Sequence, residues 1–285
     1  MSWSSVGVVT DSVSQLPAAL SVRHGIEVVP VEVEVDGVVH REGIDLDADG
    51  FWRRCDRDPL PVVTTSQPSP GAILDAYRRL AAHGASAIVS VHVGQACSGT
   101  VNSARLAAAT SPGPGAVVDT GAASFGVAVA ALAAAHVAAT GAPLDTVVAA
   151  AERMGPVTGT SFIVQAHEFA RRGGRFTVEL PATAERVAVL AGYGSAIEVV
   201  GDGCTVDELC DAMVAPMLAD GRPIRVAVSL ADPSTAPFAA GIEHRLRASD
   251  LVRGLVRYRV GPSVAAHTGP GTAGGFWWPA DDVWG

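Results

Sequence analysis

Through the first half of the chain, short apolar runs alternate with longer stretches of helical period. Val6-Gly7-Val8-Val9 reads as a buried strand ending at Thr10-Asp11-Ser12, and Gly25 to Val31 reads as a second. Ser69-Pro70 opens a helix with proline in its first turn; Ile73, Tyr77 and Leu80 share one face, and Gly84 stops it. Ala87 to Val91 is strand-like, the Ser98-Gly99-Thr100 turn leads into a helix through Ser103 to Ala108, and Ala116-Val117-Val118 supplies another strand. Repeated strand–helix–strand units imply a parallel sheet covered by helices.

The rhythm changes after Gly155-Pro156. A strand begins at Ser161-Phe162-Ile163-Val164, a short helix carries Glu168 to Arg172, and strand signals crowd between Val187 and Val200. Thr205-Val206-Asp207-Glu208 has the form of a capping box opening a helix through Leu218. Ile224 to Leu230 follows as strand and Phe238 to Leu246 as helix, and the chain closes on three strand-like runs, Leu255 to Val260, Ser263 to Ala266 and Phe276-Trp277-Trp278. The expectation is an α/β protein of two domains: residues 1–156, a Rossmann-like domain with a parallel sheet in an α/β/α arrangement, and residues 157–285, an α+β domain with a mixed sheet.

Composition narrows the function. With 285 residues, 48% apolar and 17% charged, the chain can fill a substantial core. A net charge of −9 argues against nucleic acid, whose phosphates are met by basic surfaces. All 20 positive charges are arginine, which removes Schiff-base chemistry on lysine. Cys55, Cys97, Cys204 and Cys210 lack the spacing of a metal or redox motif, and Met1 to Val6 lacks the basic and apolar regions of a signal peptide, so a reduced, cytoplasmic protein is expected. Thr120 to Leu144 contains no Asp, Glu or Arg, but its Ala and Gly content suits a tightly packed internal helix better than a membrane span.

Two segments carry the candidate chemistry. Thr64-Thr65-Ser66-Gln67-Pro68-Ser69-Pro70 and Cys97-Ser98-Gly99-Thr100 each set hydroxyls and backbone N–H groups just ahead of a helix, where an anion is held. Taken singly, Thr65 would orient a turn and Ser69 or Ser98 would cap a helix; two such turns together suggest one anion site. Asp11 and Asp119 stand at the C-terminal ends of strands, as functional groups in α/β proteins do, with capping an equal reading. Gly269 to Gly274 matches GxGxxG, yet no helix of useful length follows, which excludes a dinucleotide site. His92 and Cys97 have no second pair at ligand spacing, and His167-Glu168 is not HExxH, so no metal is expected.

Together these motifs resemble the DegV family over nearly the whole chain. The resemblance rests on Val9-Thr10-Asp11-Ser12 with Leu16-Pro17, the TTSQPSP segment, Ser98-Gly99-Thr100, Val118-Asp119 with Ser124 and Gly126, Arg172-Gly173-Gly174-Arg175, and His267-Thr268-Gly269-Pro270-Gly271. It implies a two-domain protein that binds one long-chain fatty acid between its domains and is not itself an enzyme. Some members serve as the acyl-carrying subunit of a bacterial fatty acid kinase, so a kinase subunit is the implied protein partner. By the same resemblance Thr65, Ser98, Gly99, Thr100, His267 and Thr268 would hold the carboxylate, with Arg172, Arg175 and Asp11 as head-group or partner contacts. No cofactor is implied beyond the bound acid.

Two rivals differ in class. Ser98 with His267 and Asp11 or Asp119 has the residue types of a hydrolase triad, although no GxSxG elbow surrounds Ser98. A degenerate regulatory protein of the same fold would have its tunnel filled by Tyr193, Trp277 or Trp278. The chain also departs from the family pattern: Val93-Gly94-Gln95-Ala96-Cys97 replaces a serine-rich turn, and Leu190 to Thr205 lacks the usual Lys-Pro and arginine. The first change reshapes the head-group loop, and the second bears on kinase engagement.

Overall fold

The computed structural model describes residues 6–57, 61–111, 113–166, 186–194 and 196–280. The chain divides into two compact units. One takes in the chain up to Glu32 together with Ser66–Pro156; the other takes in Val33–Thr65 together with the chain from Val157 to Ala280. The second unit is therefore discontinuous: residues 33–65, which a contiguous division at 156 assigns to the first domain, group by contact with the C-terminal half.

The first unit is built on a four-stranded sheet ordered β2-β1-β6-β7, from β1 (Val6–Asp11), β2 (Ile26–Val29), β6 (Ala87–His92) and β7 (Gly115–Asp119), every pairing parallel. β1 and β6 are buried along their full length, as expected of central strands in a sheet covered on both faces. Gly7, Val9 and Asp11 alternate onto one face with Ile88, Ser90 and His92. There Val9 and Ile88 pack with Ile73, Ala76, Tyr77 and Leu80 of α3 (Pro70–Ala82) and Ala104 and Ala107 of α4 (Thr100–Thr110). The α5 helix (Phe125–Ala139) also packs on β1 and β6. It is buried almost throughout, which accounts for the uncharged stretch, and no described helix is long and apolar enough to cross a membrane.

Because β1 leads to β2 on one side and β6 leads to β7 on the other, the strand order reverses between β1 and β6. Their C-terminal ends, at Asp11 and His92, form the switch point where parallel α/β sheets present their functional loops.

The second unit carries a six-stranded mixed sheet ordered β10-β9-β8-β13-β11-β12. Its strands are β8 (Gly159–Ile163), β9 (Val187–Tyr193), β10 (Ala196–Gly203), β11 (Ile224–Leu230), β12 (Val252–Arg259) and β13 (Ala273–Pro279); only β11 and β12 pair in parallel. The helices Val206–Leu218 and Ala236–Arg247 lay Met213, Met217, Ile242 and Leu246 on Ile163, Val226, Val228 and Trp277. Thr205 and Glu208 form the expected capping box.

Residues 33–65 add a small sheet, β4-β3-β5, of β3 (Glu32–Val35), β4 (Val38–Arg41) and β5 (Val63–Ser66), with α2 (Ala48–Cys55) beside it. The Trp52 indole N–H of α2 donates to the Val260 carbonyl at 2.8 Å, a buried bond that ties this segment to the end of β12.

One sequence expectation is corrected here. Ser263 to Ala266 is not a strand but part of the helix Pro262–Thr268, with Gly261 at its N-cap and Pro262 at its start. A four-residue apolar run cannot distinguish strand from buried helix, and Pro at the first helical position was the stronger signal. The helix expected over Glu168 to Arg172 lies outside the described residues.

Candidate functional site

At the switch point of the first unit, Asp11 is fully buried and all its contacts are internal. Oδ2 accepts from the Val93 N–H at 3.2 Å and lies 2.8 Å from His92 Nδ1, while Oδ1 accepts from the Val13 N–H at 3.1 Å. His92 Nε2 in turn lies 2.6 Å from Ser90 Oγ. A buried carboxylate needs such partners, because leaving its oxygens unpaired costs several kcal/mol. Asp11 therefore holds the end of β1 to the start of the loop after β6; with no exposed atoms it offers nothing to a partner surface. The histidine it engages is His92, and Ser90 is 1% exposed within the sheet, so this Asp–His–Ser chain is a packing network.

The loop that follows delivers Ser98. Gly94 N–H donates to Ala122 O at 2.8 Å, and the Gly94 carbonyl accepts from Cys97 and Ser98 N–H groups. A Cβ on Gly94 would come within 2.9 Å of the Gly121 backbone, so only glycine allows this approach. Ser98 Oγ accepts from the Thr100 N–H at 3.3 Å and lies 2.9 Å from Thr100 Oγ1. Thr100 is fully buried and Ser98 partly exposed. When the Thr100 hydroxyl donates to Ser98 Oγ, the Ser98 hydrogen is left for an acceptor from outside. Thr100 thus supports and Ser98 presents.

Gln67 is the contact that sequence reading missed. Its amide packs against Gly99 so closely that a Cβ there would run into Oε1, and its Nε2 donates to Ser103 Oγ at 3.1 Å. Gln67 thereby fastens the TTSQPSP segment to the Ser98-Gly99-Thr100 turn. Within that segment Ser69 caps α3 by accepting from the Ala72 N–H.

The second unit contributes another pair. Thr65 lies on β5, and its Oγ1 is 3.1 Å from Nε2 of His267. His267 stands in the last turn of the helix Pro262–Thr268, not at the end of a strand as its neighbours suggested. That helix is seated by Glu42, which is buried and accepts from the Ser263 N–H at 3.0 Å. With Nε2 protonated, the imidazole donates to Thr65 and frees the threonine hydrogen for an acceptor. Thr268 has a local role: its hydroxyl donates to Val264 O at 3.2 Å and its carbonyl accepts from Thr272. Arg172 and Arg175 lie outside the described residues. Among the described residues no group of three or more His, Cys, Asp or Glu is placed to hold a metal ion.

The altered stretch from Leu190 to Thr205 is the β9–β10 hairpin, where Arg186 pairs with Asp202 at 2.7 Å. Trp277 is a core side chain in edge-to-face contact with Tyr193, the ring centroids 5.5 Å apart.

A parallel sheet with hydroxyl-rich turns at its switch point, joined in one chain to a mixed-sheet unit bearing a Thr–His pair, defines a two-unit α/β protein. The chain belongs to the DegV family: the family model described as "Uncharacterised protein, DegV family" matches residues 5–280. It is 36% identical over 279 residues to a DegV domain-containing protein of Streptomyces coelicolor, covering 94% of this chain and 96% of the relative. The solved structure "Fatty Acid Binding of a DegV family Protein from Thermus thermophilus" is similar with a TM-score of 0.85 and 32% identity, over 96% of this chain and 99% of that one. DegV of Bacillus subtilis, a fatty acid binding protein, shares the fold with a TM-score of 0.82 at 23% identity, over 98% of this chain and 100% of its own.

Proposed function

We propose that this protein binds a long-chain fatty acid by its carboxylate and carries it. The observation that carries the reading is the Thr65–His267 pair, a hydroxyl held by an imidazole at 3.1 Å, in a chain 32% identical to a Thermus protein that binds fatty acid. Ser98, with the Gly99 and Thr100 backbone, is proposed as a further donor, its hydroxyl supported by Thr100 Oγ1 at 2.9 Å. A carboxylate accepts up to about four hydrogen bonds, and neutral hydroxyls with one imidazole satisfy it without a full counter-charge.

Magnitudes divide the labour. Burying the methylenes of a sixteen- to eighteen-carbon chain contributes roughly 12 kcal/mol gross at ~0.8 kcal/mol each, against ~1.5–3 kcal/mol for each charge-assisted bond at the head. The tail supplies affinity and the head supplies orientation. Ordering the chain and losing its free motion consume several kcal/mol of that total.

Native mass spectrometry of the purified protein, followed by extraction, tests the reading. One fatty acid at near-equal stoichiometry is expected, and Thr65→Val should weaken palmitate binding about tenfold. A protein that is empty and takes up no added palmitate would sink the proposal. Delivery to a kinase is its further part: acyl phosphate should form from ATP when the loaded protein meets a fatty acid kinase subunit, and unconsumed ATP would remove that part alone.

A further inference from the structure

We infer that Asp119 is a positioning residue for the fatty acid head group, acting through the turn that presents Ser98; this rests on the carboxylate reading of Ser98 above. Asp119 ends β7 and is exposed, so nothing in the core requires a carboxylate there. A single oxygen, Oδ1, accepts two backbone N–H groups, from Gln95 at 3.1 Å and from Gly121 at 3.1 Å. Those residues belong to two different turns, the one after β6 and the one after β7. Asp119 bridges them.

The bridge sits in the middle of the loop that leads from β6 to Ser98. At its start, Val93 is held by Asp11; at its end, the Cys97 and Ser98 N–H groups return to Gly94 O. Between them Gly94 lies on Gly121 with no room for a side chain, and Gly94 N–H donates to Ala122 O. The turn carrying Ser98 therefore rests on the 119–122 turn, and Asp119 fixes the distance between them. On the outer side Gln95 Oε1 accepts from Arg105 Nη1 at 3.0 Å, which extends the support to α4.

Positioning and mere structural support separate by ligand. Palmitate needs the oriented Ser98 hydroxyl to meet a carboxylate, whereas hexadecanol, with the same tail, has no carboxylate to meet. Asp119→Ala should lower palmitate affinity about tenfold and leave hexadecanol affinity unchanged, the loss of one well-aimed bond to a charged group. Asp119→Asn keeps an oxygen acceptor for both N–H groups and should bind palmitate as the parent does. Unchanged palmitate binding in Asp119→Ala would overturn the inference. So would an equal loss for hexadecanol, which marks general disruption, or an Asp119→Asn variant as impaired as the alanine, which marks charge as the cause. Ser98→Ala is measured alongside: collapse of the acid-over-alcohol preference there with none in Asp119→Ala overturns the positioning role alone. A Ser98→Ala variant that keeps the preference overturns the carboxylate reading of Ser98, and the positioning role with it.

Discussion

The two compact units hold their buried polar groups in different settings. The first carries a fully buried side-chain network, Asp11 to His92 to Ser90, at the end of its parallel sheet; the second packs Met213, Ile242, Leu246 and Trp277 between helices and sheet, and its buried carboxylates Glu42, Asp232 and Glu243 meet backbone N–H groups or an exposed arginine. A parallel sheet is covered on both faces, so a polar side chain at a strand end finds its partner inside or goes unsatisfied. The first unit should be sensitive to loss of a single hydrogen-bonding group, and the second to loss of volume.

Trp277→Ala should have the largest effect. It removes a large side chain from the centre of the second unit's core and should lower unfolding free energy by about 4 kcal/mol, read by denaturant titration. Asp11→Ala comes next, at about 3 kcal/mol, because it leaves His92 and the Val93 and Val13 N–H groups without their acceptor. Hydrogen exchange should place that loss in β1 and β6. An Asp11→Ala protein within 1 kcal/mol of its parent would break the comparison.

The same contrast governs what could be read from the sequence. The parallel sheet was legible because its strands are compact apolar runs and α3 carries its own start signal, Ser69-Pro70, as the Thr205 box does for the helix Val206–Leu218 of the second unit. The Ser98-Gly99-Thr100 turn was legible as the lead into α4, although its support from Gln67 and the 119–122 turn was not. His267 was named, but its setting was not: Thr65 and Glu42 reach its helix from 202 and 221 residues away, and no local pattern encodes such pairings. Residues 33–65 escaped for the same cause, because a small sheet and one helix declare their home only through long contacts such as Trp52 to Val260. Gln67 was hidden differently. Its role is a close approach to Gly99, visible only once both turns are folded.

Surface features of the second unit give smaller effects. Thr205→Ala should cost about 1 kcal/mol, since the Thr205 hydroxyl accepts from the Glu208 N–H at 3.2 Å and that donor would turn to water. A loss of 3 kcal/mol or more would mean that the cap holds tertiary structure as well as its own helix.

The smallest effect should appear only in acid. Hydrogen bonds from Arg257 hold the Glu243 carboxyl below the ordinary glutamate value of 4.5; burial opposes the shift, and the Arg257 and Arg247 charges assist it. A carboxyl with a depressed folded-state value stabilises the fold above its unfolded value, and that contribution fades as pH falls through the lower, folded one. The parent should therefore lose stability below pH 4.5 more steeply than Glu243→Gln, while above that pH the two curves run parallel. The difference should be modest, because Arg257 is 62% exposed and water screens it even though Glu243 is 6% exposed. Coincident acid limbs would show that Arg257 gives Glu243 no net stabilisation. A difference as large as that of Asp11→Ala would show instead that the second unit depends on Glu243 as heavily as the first depends on Asp11, and would remove the contrast between them.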